Sequence, residues 1–138
     1  MILKGRQINL ILVLKSAFWS IVITFAIRLL PLRSILNMLT PKAVRMRVEQ
    51  NAIINSVNAV LYLQRKIAQP KCWKKSMLYF RMLKKYGHSP VLHFGVALKS
   101  ASDKNLLSGH SWVSIDNVPI AEQDKELSKK FKEILVYS

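Results

Sequence analysis

Apolar residues fill the stretch from Ile8 to Leu30 on nearly every side, interrupted by Lys15 and closed by Arg28, which predicts a helix ended by Pro31. Leu32 to Leu39 forms a second short apolar turn or helix before Thr40-Pro41, where the proline suits the first position of a further helix. From Val44 to Lys66 the apolar positions Val48, Ile53 or Ile54, Val57, Val60 or Leu61 and Leu63 recur at spacings of three and four, with Arg45, Arg47 and Arg65 on the outer face. Pro70 breaks that segment. Cys72 to Lys85 then reads as one helix, basic on one side and apolar on the other, with Gly87 as its C′ residue.

After Pro90 the period changes. Val91 to Leu98 is a strand candidate and Lys99 to Ser108 a polar loop. Ser111 to Ile115 and Val118 to Glu122 flank Asp116-Asn117, a two-residue hairpin turn. A last helix is expected from Ile120 or later to Tyr137, marked by the charges of Asp124 to Glu133 and by Leu127, Phe131, Ile134 and Leu135. This order predicts an α+β fold: N-terminal helices followed by a small antiparallel sheet of about three strands. The 138 residues fit one compact domain, divisible into a helical region, 1–66, and a core, 67–138.

Charge changes the picture by its distribution. The net charge is +15, yet residues 1–102 hold 17 Lys/Arg against Glu49 alone, while residues 103–138 hold 5 Lys/Arg and 6 Asp/Glu. Such a surface attracts acidic peptides, polyanions or an anionic membrane. A nucleic-acid-binding module would use it too, but helix-turn-helix, zinc and aromatic RNA-binding signatures are absent from the sequence. The longest uncharged run of the first helix, Ser16 to Ile27, is short for a bilayer span, so a buried helix, a partner-facing helix and one lying in a membrane interface are the better readings. The same segment lacks a small-x-small cleavage site, which argues against a signal peptide.

Cys72 is the single cysteine, so an intramolecular disulfide is impossible, a multi-thiolate zinc site is excluded, and a reducing, cytoplasmic compartment fits best. It opens a helix beside Lys71, Lys74 and Lys75, where unpaired backbone N–H groups and cations favour a thiolate. The bland alternative is a buried structural thiol. His110 starts the alternating run Gly109-His110-Ser111-Trp112-Val113-Ser114-Ile115, which puts His110, Trp112 and Ser114 on one face and Ser111, Val113 and Ile115 on the other. Packing of the cysteine helix against this strand would give a nucleophile its base. With Asp116-Asn117 as the turn, Glu122 falls opposite Ser111 and within diagonal reach of His110. Asp116 shares His110's parity but lies about 20 Å along the strand, and Asp124 is a weaker rival. His88 and His93 do not converge with acidic partners on His110, so no metal site is expected, and the scattered glycines make no phosphate-binding loop or cofactor site.

The run Lys71-Cys72-Trp73 through Tyr86-Gly87, then Leu92-His93-Phe94-Gly95-Val96, then Gly109-His110-Ser111-Trp112-Val113-Ser114-Ile115-Asp116 resembles the transglutaminase-like leader peptidases of lasso peptide biosynthesis. Arg28-Leu29-Leu30-Pro31 resembles the end of that family's N-terminal apolar helix. The resemblance implies a transglutaminase-like core with the cysteine at a helix N-terminus, and a cytoplasmic peptidase without a cofactor. Such an enzyme removes the leader from a ribosomally made precursor peptide. Its partners would be a small leader-recognition protein and an asparagine-synthetase-like cyclase. Cys72 and His110 carry over directly. Ser111 stands where the family has alanine, and the acidic third member, an aspartate in the family, would be Glu122. An acyltransferase of the same superfamily and a non-catalytic basic binding or membrane-associated protein remain as alternatives.

Overall fold

The computed structural model describes residues 2–3, 6–7, 10–41, 48–66, 72–98, 107–120 and 132–138. A short ladder pairs β1 (Ile2–Leu3) with β2 (Arg6–Gln7). Four helices follow: α1 (Leu10–Leu29), α2 (Leu32–Leu39), α3 (Gln50–Arg65) and α4 (Cys72–Lys85). The remaining strands, β3 (Val91–Leu98), β4 (Leu107–Ile115), β5 (Val118–Pro119) and β6 (Lys132–Tyr137), form one antiparallel sheet in the order β5-β4-β3-β6. The α+β architecture is the one expected.

Helix α4 sits between the other helices and the sheet, packing on α1, α2 and α3 on one side and on β3 and β4 on the other. Ser76, Met77, Leu78, Tyr79 and Phe80 are buried in succession, so the middle of α4 is enclosed all round and is not the two-sided basic and apolar helix that the sequence suggests. Leu78, Phe80 and Leu83 join Ile53 and Val57 of α3, Ile23 of α1, Leu39 of α2 and Leu92 and Val113 of the sheet in one core. Each such side chain contributes about 1.5–3 kcal/mol on burial. Gly87, at φ 88°, ends the helix, and the His88 N–H donates to the Leu83 carbonyl at 3.0 Å. That six-to-one bond is a Schellman closure, and the left-handed backbone it needs costs a glycine little.

The other helices differ in detail from expectation. Helix α1 buries Leu12, Ser16, Ser20, Ile23 and Ala26, a face of small and medium residues that lets α3 and α4 approach closely. Gln64 donates from Nε2 to Ser20 Oγ across that contact. Helix α3 begins at Gln50, later than the apolar spacing suggests, and Leu63 is exposed. Val48 is non-helical because its backbone is tied to the end of α4. Its N–H donates to the Tyr86 carbonyl at 3.3 Å, and its carbonyl accepts from His88 Nε2 at 2.6 Å. Of the outer-face arginines predicted for this helix, Arg65 is exposed, while Arg45 and Arg47 lie outside the described residues.

The hairpin falls where the sequence puts it. Asp116 (φ 53°) and Asn117 (φ 65°) are both left-handed, as a primed two-residue turn requires, and Ile115 pairs with Val118 and Ser114 with Pro119. The expected C-terminal helix is corrected: Lys132–Tyr137 is a fourth strand, β6, on the free side of β3. The run Ile134-Leu135-Val136-Tyr137, with β-branched Ile134 and Val136 and aromatic Tyr137, suits a strand, and pairing there satisfies backbone groups that an open β3 edge would leave exposed. A register shift at Phe94/Gly95 bulges the ladder. Tyr137 closes the layer, its ring 5.6 Å from Phe80 and its hydroxyl 2.8 Å from Thr40 Oγ1. Because the Thr40 hydroxyl donates to the Leu36 carbonyl at 3.1 Å, Tyr137 is the donor in that pair.

Burial pushes the Tyr79 hydroxyl well above the ordinary tyrosine range, and it donates to Asn58 Oδ1. A raised folded value means that this group's contribution is fully present below about pH 10, where unfolded tyrosine begins to ionise, and is lost as the pH climbs. Tyr79→Phe is therefore expected to cost about 1 kcal/mol near neutrality through the lost hydrogen bond. It should also make urea-measured stability fall less steeply above pH 10 than in the wild type.

Candidate active site

Cys72 is the first residue of α4, which follows from Pro70 and Lys71 just ahead of a run of good helix formers. The opening turn also carries Trp73, Lys74 and Lys75, all half-buried, and burial holds the Lys74 ammonium below the usual lysine range. With no acidic residue in this turn, the field at the start of α4 comes from backbone N–H groups and cations.

The sheet meets this end of the helix through two hydroxyls. Ser111 Oγ donates to Ser76 Oγ at 3.1 Å, and both side chains are buried. Ser76 is four residues, about 6 Å of helix rise, beyond Cys72, and Ser111 is the residue after His110, with Cα atoms about 3.8 Å apart. This contact fixes β4 against the opening turns of α4.

Strand alternation separates the two sides of β4. Ser111 and Val113 face α4 and the core, while His110 lies on the other face with Trp112, half-buried and stacked at 5.6 Å between ring centroids and 18° between planes. Trp112 also stacks on His93, its pairing partner on β3, at 5.1 Å and 3°. His93 Nε2 is in turn hydrogen-bonded to Ser114 Oγ at 2.6 Å. Trp112 is thus held between two imidazoles, one anchored by a serine. The sequence places His110, Trp112 and Ser114 on one face; His93 was missed there as a member of this group. Its signal is the cross-strand register, since Leu92 points into the core and the next residue must point out to Trp112.

Asp116 occupies the exposed turn at the far end of β4. Glu122 and Asp124 lie outside the described residues. Among the described residues, no three His, Cys, Asp or Glu gather in a metal-binding cluster.

The sequence profile of the transglutaminase-like superfamily matches residues 17–136, which takes in α1 through β6. No curated protein and no solved structure matches the chain.

The Ser76–Ser111 contact predicts an energetic coupling. Ser76→Ala leaves a buried Ser111 hydroxyl without this partner and should cost about 1–2 kcal/mol. The double variant Ser76→Ala/Ser111→Ala should cost less than the sum of the single ones, by about 1 kcal/mol, in a urea double-mutant cycle.

Proposed function

The chain belongs to the transglutaminase-like superfamily, whose members are usually cysteine proteases or acyltransferases, and we propose that it is a cysteine peptidase using Cys72 as nucleophile and His110 as base. The observation that carries this reading is the position of Cys72 at the N-terminus of α4, beside Lys74 and Lys75, in a chain of this superfamily; β4 packs on the same helix through Ser111 and bears His110 on its other face. The helix N-terminus and the cations Lys74 and Lys75 favour the thiolate, the form that attacks.

In the proposed reaction His110 takes the Cys72 proton, and the sulfur adds to the peptide carbonyl. The C–N bond breaks as the imidazolium protonates the leaving amine. Water then attacks the thioester, giving its proton to His110, and the carboxylic acid leaves as the thiol is restored. Trp112 limits the rotation of the His110 ring, and the His93–Ser114 pair limits that of Trp112. Glu122 is proposed as the acceptor that orients the imidazole. Its support is the hairpin whose turn and first pairs lie where the sequence puts them, together with the remote, exposed position of its rival Asp116.

The substrate we infer is the leader–core bond of a ribosomally made lasso peptide precursor, in a reducing cytoplasm. A small leader-recognition protein would present the precursor, and an asparagine-synthetase-like cyclase would receive the core. This finer reading rests on the sequence motifs around Cys72, His93 and His110, and on a cationic first part of the chain that suits an acidic leader or recognition surface.

Mass spectrometry of such a precursor, incubated with the recognition protein and with the wild type or Cys72→Ala, tests the proposal. Cleavage at one bond by the wild type and none by the variant is expected, with a free carboxylic acid as product. An amide formed with an added amine would assign acyl transfer instead, and equal cleavage by both proteins would remove Cys72 from the mechanism.

A further inference from the structure

Helix α1 has two apolar faces, and the core uses only one. Leu14, Phe18, Ile21, Phe25 and Leu29 recur at spacings of three and four on the side away from α3 and α4, and they are 56–77% exposed. They form a stripe about 22 Å long. Leu30 and Leu32, at the corner where α1 turns into α2, extend it and are also exposed. Scattered surface leucines need no explanation, but a continuous stripe with two phenylalanines marks a contact surface.

Three features select its occupant. First, the stripe contains no polar side chain that would fix the register of a protein partner, whereas protein interfaces carry about one hydrogen bond per 100–200 Å². Second, exposed cations stand at the C-terminal end of the stripe. At 100° per residue Arg28 falls on one flank, and Arg28 and Arg33 are exposed, while Lys15 on the other flank is half-buried with its ammonium 5.7 Å from the Tyr86 ring. A second copy would bring another +15 against the same surface, while an anionic bilayer complements it. Third, the helix is long and apolar enough to cross a membrane, but its inner face is packed on the rest of the protein. Leu12, Ile23 and Ala26 belong to the core, Ser20 accepts from Gln64, and the Arg81 guanidinium lies 4.0 Å from the Trp19 ring.

We propose that α1 is a monotopic anchor, lying parallel to an anionic bilayer with its outer stripe in the headgroup and upper acyl region and its inner face still packed on α3 and α4. The proposal concerns where the protein works and is independent of which reaction it catalyses.

Co-sedimentation of the full chain with vesicles tests it. Vesicles of equal parts phosphatidylglycerol and phosphatidylcholine should bind the chain at least tenfold more tightly than phosphatidylcholine alone, with the difference shrinking as salt is added. Phe18→Ser with Phe25→Ser should weaken binding by about tenfold for each side chain, with circular dichroism showing the fold retained. Arg28→Gln with Arg33→Gln, which leaves the apolar stripe intact, should weaken it by roughly fivefold for each charge. Equal binding to both vesicle types, or no effect of either pair, overturns the proposal. So does a lipid-free dimer that the phenylalanine pair dissociates, which would assign the stripe to a second copy. Resistance of the membrane-bound protein to alkaline carbonate would show a spanning helix and overturn it as well.

Discussion

The enclosure of α4 is the constraint on which the remaining structure depends. A helix with five successive buried residues needs apolar cover on every side, and this chain supplies it from three helices and from the inner face of β3 and β4. Removing that helix would leave the sheet with one unburied face and α1 and α3 without their common partner. The same enclosure sets the one end of α4 that matters chemically, because a helix fixed along its length has a fixed N-terminus, and that is where Cys72 stands.

What the enclosed helix offers is a field at its start, and what the sheet offers is β4, which meets α4 through Ser111 and carries His110 on its other face. The backbone N–H groups of the first turn, with Lys74 and Lys75, favour an anion there. The Ser76–Ser111 hydrogen bond ties the next turn to the strand bearing His110. Across β4 the ring ladder His110, Trp112, His93 gives the imidazole a rigid neighbour. The sequence profile of the transglutaminase-like superfamily spans residues 17–136 and so covers both elements. The peptidase chemistry, the third catalytic group and the lasso peptide substrate are our proposals upon it.

Much of this was legible in the residues. Pro31, Gly87 and Asp116-Asn117 punctuate the chain by backbone chemistry that tertiary context rarely overrides, and α1, α2, α4 and the hairpin lie where those signals put them. Strand β3 also has the range expected. The errors came where periodicity alone was used. Ile134 and Leu135 follow Phe131 at helical spacing, but the open edge of β3 made a strand the better state for Lys132–Tyr137. Val48 fits the period of α3, yet its backbone is bonded to the end of α4. The central burial of α4 was hidden by its lysines, which are half-buried at the two ends of the helix while the residues between them are enclosed. At the site, Cys72 and His110 were chosen from residue type and spacing strengthened by a family resemblance. His93 escaped because its role depends on cross-strand register, and Glu122 lies outside the described residues.

Whether Cys72 and His110 act as one ionising pair is read from the rate of iodoacetamide alkylation of Cys72 as a function of pH. With one cysteine in the chain, the signal has a single source. The wild type is expected to alkylate with a midpoint well below the ordinary thiol value of about 8.5, and His110→Gln to move the midpoint back toward that value. Identical profiles near 8.5 in the two proteins would contradict it.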